Sequence, residues 1–141
     1  MHSRHPQAHD FPAVTARRTS TVRELDAAVP TCRACPRLVA WREEAARLKR
    51  RAFVDWDYWA RPVPGFGPAD APLVIIGLAP AAHGGNRTGR IFTGDPSGDA
   101  LYAALYDIGL ASQPTATRRD DGMRLYGVRI TVPVHLSLIH I

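Results

Sequence analysis

Cys32 and Cys35 stand in the stretch TCRACPRL, and a C-x2-C spacing lets two thiolates reach one metal centre, as in zinc and iron–sulfur sites. A cluster needs about four protein ligands, and this pair accounts for both cysteines of the 141-residue chain. The six histidines are scattered along the sequence and offer no ordered completion of a zinc site. Two ordinary thiols or a redox pair are the other readings, and redox work is less attractive because no thioredoxin-like strand precedes the pair. A second stretch with chemical content is GLAPAAHGGNRTGRIFTGDPSGD, Gly77 to Asp99, directly after the apolar run PLVIIG. Glycine lets a backbone approach a ligand closely and turns N–H groups toward an anion or a carbonyl oxygen. The stretch lacks the lysine and hydroxyl residue of G-x-x-x-x-G-K-[ST], and it lacks G-x-G-x-x-G. A nucleotide phosphate site of another kind stays open.

These residues need elements to hold them. Thr21 followed by Glu24 fits a capping box, and Val22, Leu25 and Val29 share one helical face until Pro30 ends it. The segment from Leu38 to about Arg51 predicts a second helix, with Leu38, Trp41, Ala45 and Leu48 as its apolar stripe and Glu43–Arg47 as a supporting pair. DYWARPVPGFGPADAP is rich in proline and glycine and reads as loop. Leu73 to Ile76 is apolar and β-branched without alternation, as in a strand covered on both faces. Asp95 and Pro96 make a helix start, Leu101, Ala104, Leu105 and Ile108 its buried face, and Gly109 its stop. Arg124 to Val132 reads as another strand. Strand, helix, strand in this order predicts a βαβ unit, hence an α/β class with a parallel sheet. Connections in such units usually take about two to six residues, so the long loop from Leu78 to Gly94 sits where α/β sheets bind ligands.

The apolar fraction of 45% is that of a globular chain. Basic residues exceed acidic ones by five, and Lys49 is the sole lysine. Arginine suits a phosphate partner because its planar fork donates two bonds at once, although a general bias of composition toward arginine, alanine and proline gives the same count. No apolar run approaches the roughly 20 residues that span a bilayer, and the N-terminus has no signal core, so a cytoplasmic, membrane-independent protein is expected. Residues 1–20 read as a disordered tail, 21–132 as the N-terminal part of a single domain, and 133–141 as a truncated or non-native end, with LSLIHI foreign in character.

The long loop closely resembles the first motif of the uracil-DNA glycosylase superfamily, and in particular of its family 5, the type B enzymes of bacteria and archaea. CRACPRL and RPVPGFG, at their spacing before the strand, resemble the same family, so the likeness runs from about Leu25 to Ile130. It implies a three-layer αβα fold around a parallel central sheet, here only its N-terminal half. It implies a [4Fe–4S] cluster on four cysteines, with Cys32 and Cys35 as two of the four ligands. It implies excision of uracil, and of other deaminated bases, from single- or double-stranded DNA by a monomeric protein. A flipped base needs an enclosing pocket. On the resemblance Gly77, Leu78, Ala79 and Pro80 form its floor, main-chain amides near Ala81 and Ala82 donate to the base, and Phe92 stacks on the ring. Phe92 could equally be a core residue by its type alone.

The implied reaction is dissociative, with the base leaving as an anion that nearby donors stabilise. Ala79 stands where many superfamily members carry a polar group, so water positioning falls to Asp95 or His83, with Asn86 behind them. Asp95 is also a plain helix N-cap, and His83 a plain loop histidine. Arg87 and Arg90 are implied phosphate contacts, or else loop braces. A complete member would add two cysteines, a second motif with an asparagine and a third with a histidine. None is visible after Ile130, so the chain by itself is expected to be inactive and unable to hold a full cluster. A hypoxanthine or xanthine glycosylase, a non-catalytic metal-dependent nucleic-acid-binding module and a nucleotide-binding α/β domain are the competing readings.

Overall fold

The computed structural model describes residues 8–138. Three helices come first: α1 over Phe11–Arg18, α2 over Val22–Ala28 and α3 over Pro36–Leu48. Strand β1 (Leu73–Ile76) follows the proline-rich segment, then the short helix α4 (Gly85–Thr88), helix α5 (Pro96–Asp107) and strand β2 (Val128–Thr131). β1 and β2 pair in parallel, Leu73 beside Val128 and Ile76 beside Thr131. A parallel pair requires a crossover, and α5 lies within it, so the α/β class stands.

α1 is a departure from the disorder expected over residues 1–20. It starts at Phe11 with Pro12 in its first turn, a position where proline's missing N–H costs nothing. Phe11, Pro12 and Thr15 line an apolar concavity shared with Leu25, Val29 and Leu38, a tertiary contact that composition does not reveal. Residues 1–7 of the expected tail, and 139–141 of the expected foreign end, lie outside the described residues. Of that end, Leu136 and Ser137 are buried, and Val63 N–H donates to the His135 carbonyl at 2.9 Å.

The capping box forms as expected: Thr21 Oγ1 accepts from Glu24 N–H and Glu24 returns an oxygen to Thr21 N–H, both at 3.2 Å. Asp26 of α2 then reaches across the chain. Its two oxygens accept from one Arg129 nitrogen of β2 at 2.6 and 2.7 Å, and Arg129 also donates to the Gly67 carbonyl. PVPGFG thereby becomes part of the sheet's frame, and Phe66 exchanges two backbone hydrogen bonds with Ile130 on an edge of β2.

β2 is buried while β1 is not. Leu73, Val74 and Ile76 are exposed, against the expectation of a strand covered on both faces. The physical reason is that β2 is its one strand neighbour among the described residues. The core gathers instead around β2, with Tyr102 and Leu105 of α5, Ile91, Met123 and Leu125. The face of α5 is turned by one position from the expected one: Gly98, Tyr102 and Leu105 are buried, while Ala104 and Ile108 are exposed. Tyr102 donates its hydroxyl to the Ile91 carbonyl at 2.9 Å, and burial pushes its phenol up to about 12.

α3 ends at Leu48, three residues earlier than expected, and Leu48 is exposed. Its buried positions are Val39, Arg42 and Ala45. Arg47 pairs with Glu44, not Glu43, which turns to Arg33. The strand expected from Arg124 contracts to Val128–Thr131; upstream, Leu125 makes a single bridge to Ala111.

Candidate functional site

The loop after β1 is held from both sides. Asp95 caps α5, its Oδ1 accepting from Gly98 N–H at 3.0 Å. Gly98 sits beneath the Phe92 carbonyl so closely that a side-chain carbon there would collide with it. That approach accompanies a positive φ of 51° at Phe92. Such a conformation costs about 1–3 kcal/mol in a bulky residue and persists only where the surroundings over-determine it. At the other end Asn86 is fully buried and its amide nitrogen donates to the carbonyls of Arg42 on α3 and Ala82.

A cavity of about 450 Å³ opens on this loop, lined by Ala81, Ala82, His83, Gly84, Gly94 and Asp95. This is within the roughly 300–1,000 Å³ of small-molecule sites. His83 and Asp95 are half-buried in its wall. The Oδ2 atom of Asp95 lies against Gly84 while Oδ1 is committed to the cap. His83 Nδ1 lies 2.8 Å from the Tyr58 hydroxyl. Burial, and then the charges of Arg50 and Arg87, lower its tendency to take a proton. The wall can therefore offer a neutral imidazole, a free carboxylate oxygen and small residues that let the backbone approach a ligand.

The other expected residues fall elsewhere. Phe92 does not line this cavity; its half-buried ring packs over Gly77, beside Val132. Pro80 is buried against Gly85, whereas Leu78 is exposed and Ala79 half-buried. Asn86 donates to two carbonyls from a buried position and braces the loop rather than facing the cavity.

Arg87 and Arg90 are corrected more sharply. Both are buried, and neither presents a free fork to a phosphate. Arg87 donates to the His83 and Gly94 carbonyls, and its guanidinium lies 3.9 and 4.1 Å from the ring centres of Phe53 and Trp56. Arg90 makes a two-pronged pair with Asp121 at 2.8 and 2.6 Å and donates to Thr93. Burial would raise the Asp121 carboxyl, but the Arg90 fork and the N–H groups of Met123 and Thr117 outweigh this and hold it well below the carboxylate range. A motif arginine reads as a surface cation until its distant carboxylate is known.

Trp41, Arg50 and Phe53 also line the cavity, and nothing in the sequence assigns them to it. Trp41 reads by periodicity as part of the α3 stripe. Its buried Nε1 has no hydrogen-bond partner among the described residues, an exception among buried polar groups.

Cys32 and Cys35 are free, half-buried and exposed respectively, at one edge of the apolar concavity of about 400 Å³. No group of three or more histidine, cysteine, aspartate or glutamate side chains gathers among the described residues. Two thiols do not fit a four-ligand cluster, so the described residues alone do not form that centre. Nor is any described helix long and apolar enough to cross a membrane.

A parallel βαβ unit with a small-residue loop and a cavity after its first strand is the layout in which α/β folds place their ligands. Comparison with known proteins narrows it. The Uracil DNA glycosylase superfamily profile matches residues 64–137, just over half of the chain. The chain belongs to this superfamily. It is 60% identical over 114 residues to the type-5 uracil-DNA glycosylase of Mycobacterium tuberculosis, covering 81% of this chain and 42% of that protein. It is 59% identical over 117 residues to the type-5 enzyme of Mycobacterium leprae, covering 83% and 51%. To that of Thermus thermophilus it is 58% identical over 106 residues, covering 75% and 48%. The chain thus spans about half the length of the curated relatives it matches.

Proposed function

We propose that this chain is the base-enclosing part of a DNA repair glycosylase that hydrolyses the N-glycosidic bond of uracil in DNA. The observation that carries the reading is the cavity of about 450 Å³ walled by Ala81–Gly84, Gly94 and Asp95, in a chain of this superfamily. An extruded base needs a concave, water-excluding site with a few fixed polar groups.

In this reading the small residues Ala81, Ala82 and Gly84 allow the main chain to approach the base edge. His83, neutral at pH 7, donates to the base as negative charge develops on it, and donors placed for a developing charge lower the barrier. Asp95, through the oxygen left free by its capping bond, positions the water that attacks the sugar. Gly77, Leu78, Ala79 and Pro80 form the approach from β1. Phe92 packs over Gly77 outside the cavity and holds this approach in shape. Asn86, Arg87 and Arg90 keep the loop in shape. Cys32 and Cys35 would supply two ligands of an iron–sulfur cluster, the others coming from outside the described residues, and such a cluster would serve a structural role.

The test is excision from a duplex carrying one uracil opposite guanine, scored as an alkali-labile abasic strand. The enzyme is this chain joined after residue 137 to the remaining length of a relative about 60% identical to it. Abasic product that falls by at least about 10²-fold on removing the Asp95 carboxylate supports the reading. Uracil-DNA binding without any product, in a folded chimera, overturns it in favour of a non-catalytic DNA-binding module.

A further inference from the structure

Arg87, whose guanidinium covers the Phe53 ring in the candidate cavity's wall, also lines a second concavity, of about 590 Å³. Two tryptophans form its body. Arg61 and Arg119 lie 5.5 and 4.3 Å from the ring centre of Trp59, and Arg118 lies 5.0 Å from that of Trp56, which Arg87 also covers. Arg61, Arg118 and Arg119 are exposed, and none has a carboxylate within 4 Å among the described residues. A guanidinium stacked on an aromatic face keeps its in-plane N–H donors free, and their fork matches the oxygens of a phosphate.

The arrangement is anchored to the motif loop. Trp59 N–H donates to the Arg87 carbonyl at 3.0 Å, and the Trp59 indole donates to the Pro62 carbonyl at 3.1 Å. The turn that carries Arg118 and Arg119 is gathered by Asp121, which accepts from Thr117, Arg118 and Met123 N–H while it pairs with Arg90. Gly89 lets the two arms close: a side chain there would meet Arg119 at 2.9 Å and the Trp59 ring at 3.0 Å. The buried arginines of the motif thus act as struts for exposed arginines outside it.

We propose that this concavity is a phosphodiester subsite, in which Arg61, Arg118 and Arg119 hold successive backbone phosphates of a DNA strand whose base occupies the neighbouring cavity. Asp55, Asp57 and Asp120 also line it. Their charges oppose a compact polyanion, whereas an extended strand with one charge per nucleotide can meet the arginines singly. Contacts of this kind position a strand without reading its sequence. The inference rests on the reading that the chain acts on DNA, and its test uses no uracil.

The test is anisotropy of a fluorescent, lesion-free single-stranded oligonucleotide bound to the full chain over a salt series. For single strands the slope of log K against log salt falls by about 0.7 for each phosphate that the protein no longer neutralises. The double variant Arg118→Ala, Arg119→Ala is expected to bind roughly tenfold more weakly at moderate salt, with a slope shallower by about 0.7 to 1.4. Arg124→Ala removes an exposed cation outside the concavity and is expected to leave the slope close to that of the unaltered chain. Far-UV circular dichroism checks folding, and Arg61→Ala serves as a second variant should the double one unfold. Equal slopes for the Arg118/Arg119 variant and the Arg124 control overturn the proposal. Tryptophan fluorescence with inorganic pyrophosphate in place of the oligonucleotide distinguishes a strand from a free phosphate: saturation at micromolar pyrophosphate overturns the strand assignment, and silence below millimolar supports it. Loss of uracil excision with these slopes intact would remove the proposed reaction and leave the subsite standing.

Discussion

The Tyr58 hydroxyl lies 2.8 Å from Nδ1 of His83, the two rings meeting edge to face. The contact ties the proline-rich segment before β1 to the loop after it. A phenol donating to Nδ1 of a neutral ring leaves the ring's own proton on Nε2. Tyr58→Phe is expected to cost about 0.5–1.5 kcal/mol of stability and to let the imidazole populate both tautomers, read by nitrogen chemical shifts in NMR. The His83 value in the fold lies below its ordinary 6.5, first through burial and then through Arg50 and Arg87. The unfolded chain therefore binds the proton more readily. This contribution to stability is complete above the unfolded value and is lost as pH falls from about 6.5 through the folded value. Urea unfolding at pH 7.5 and 5.5 should show a smaller loss on acidification in His83→Gln than in the unaltered chain. An identical loss would contradict the assignment.

Asp95 has two roles that separate by substitution. Asp95→Ser keeps an oxygen for the Gly98 N–H, so its melting temperature is expected to stay close to that of the unaltered chain. Asp95→Ala removes the cap and should cost about 0.5–2 kcal/mol. Both lose the second carboxylate oxygen, and both should lower uracil excision by the chimera about 10²-fold or more. Full activity in the stable Asp95→Ser variant would reduce Asp95 to a cap.

Local features of the chain are legible in its sequence because they rest on neighbours along it. The Thr21–Glu24 box, the Asp95–Pro96 helix start and the Leu73–Ile76 strand all form as their residue types require. What depends on distant partners is not legible. Arg90 looks like a free cation until Asp121, 31 positions on, is folded against it. The rotation of α5 follows from Gly98 passing under the Phe92 carbonyl, which periodicity cannot register. α1 is hidden by the polar character of its surroundings, since its helix is held by an apolar concavity that includes Leu136 and Leu138 at the other end of the chain. The loop's small residues are readable as a place for a ligand, but the Trp41, Arg50 and Phe53 walls come from elements that only tertiary packing brings to it.

The Arg90–Asp121 pair should behave as a buried one, since both side chains are over nine-tenths buried. Removing one partner of such a pair leaves an uncompensated charge, at a cost of about 3–5 kcal/mol. Asp121→Ala is expected to fall in that range by chemical denaturation, and it should also free the turn that carries Arg118 and Arg119. The Asp121 carboxyl is held below its ordinary value, so the stability it contributes is present above the unfolded carboxylate value and is lost as pH falls toward the folded one. In Asp121→Asn this acid-dependent part should vanish, which a comparison of unfolding at pH 7 and pH 3 would read directly.

Gly98 offers the sharpest steric test. It occupies the first turn of α5, where alanine is by propensity the better helix former by about 1 kcal/mol. A side-chain carbon at Gly98, however, would run into the Phe92 carbonyl and carbonyl carbon, which are backbone and cannot swing aside. Gly98→Ala is therefore expected to destabilise the chain despite the gain in propensity, and to shift the Phe92 backbone out of its positive φ. Ser97→Ala, one position earlier and exposed, should be neutral to within about 0.5 kcal/mol. If thermal unfolding found Gly98→Ala as stable as Ser97→Ala, α5 would not approach the loop this closely, and the cavity wall between Gly94 and Asp95 would have to be drawn differently.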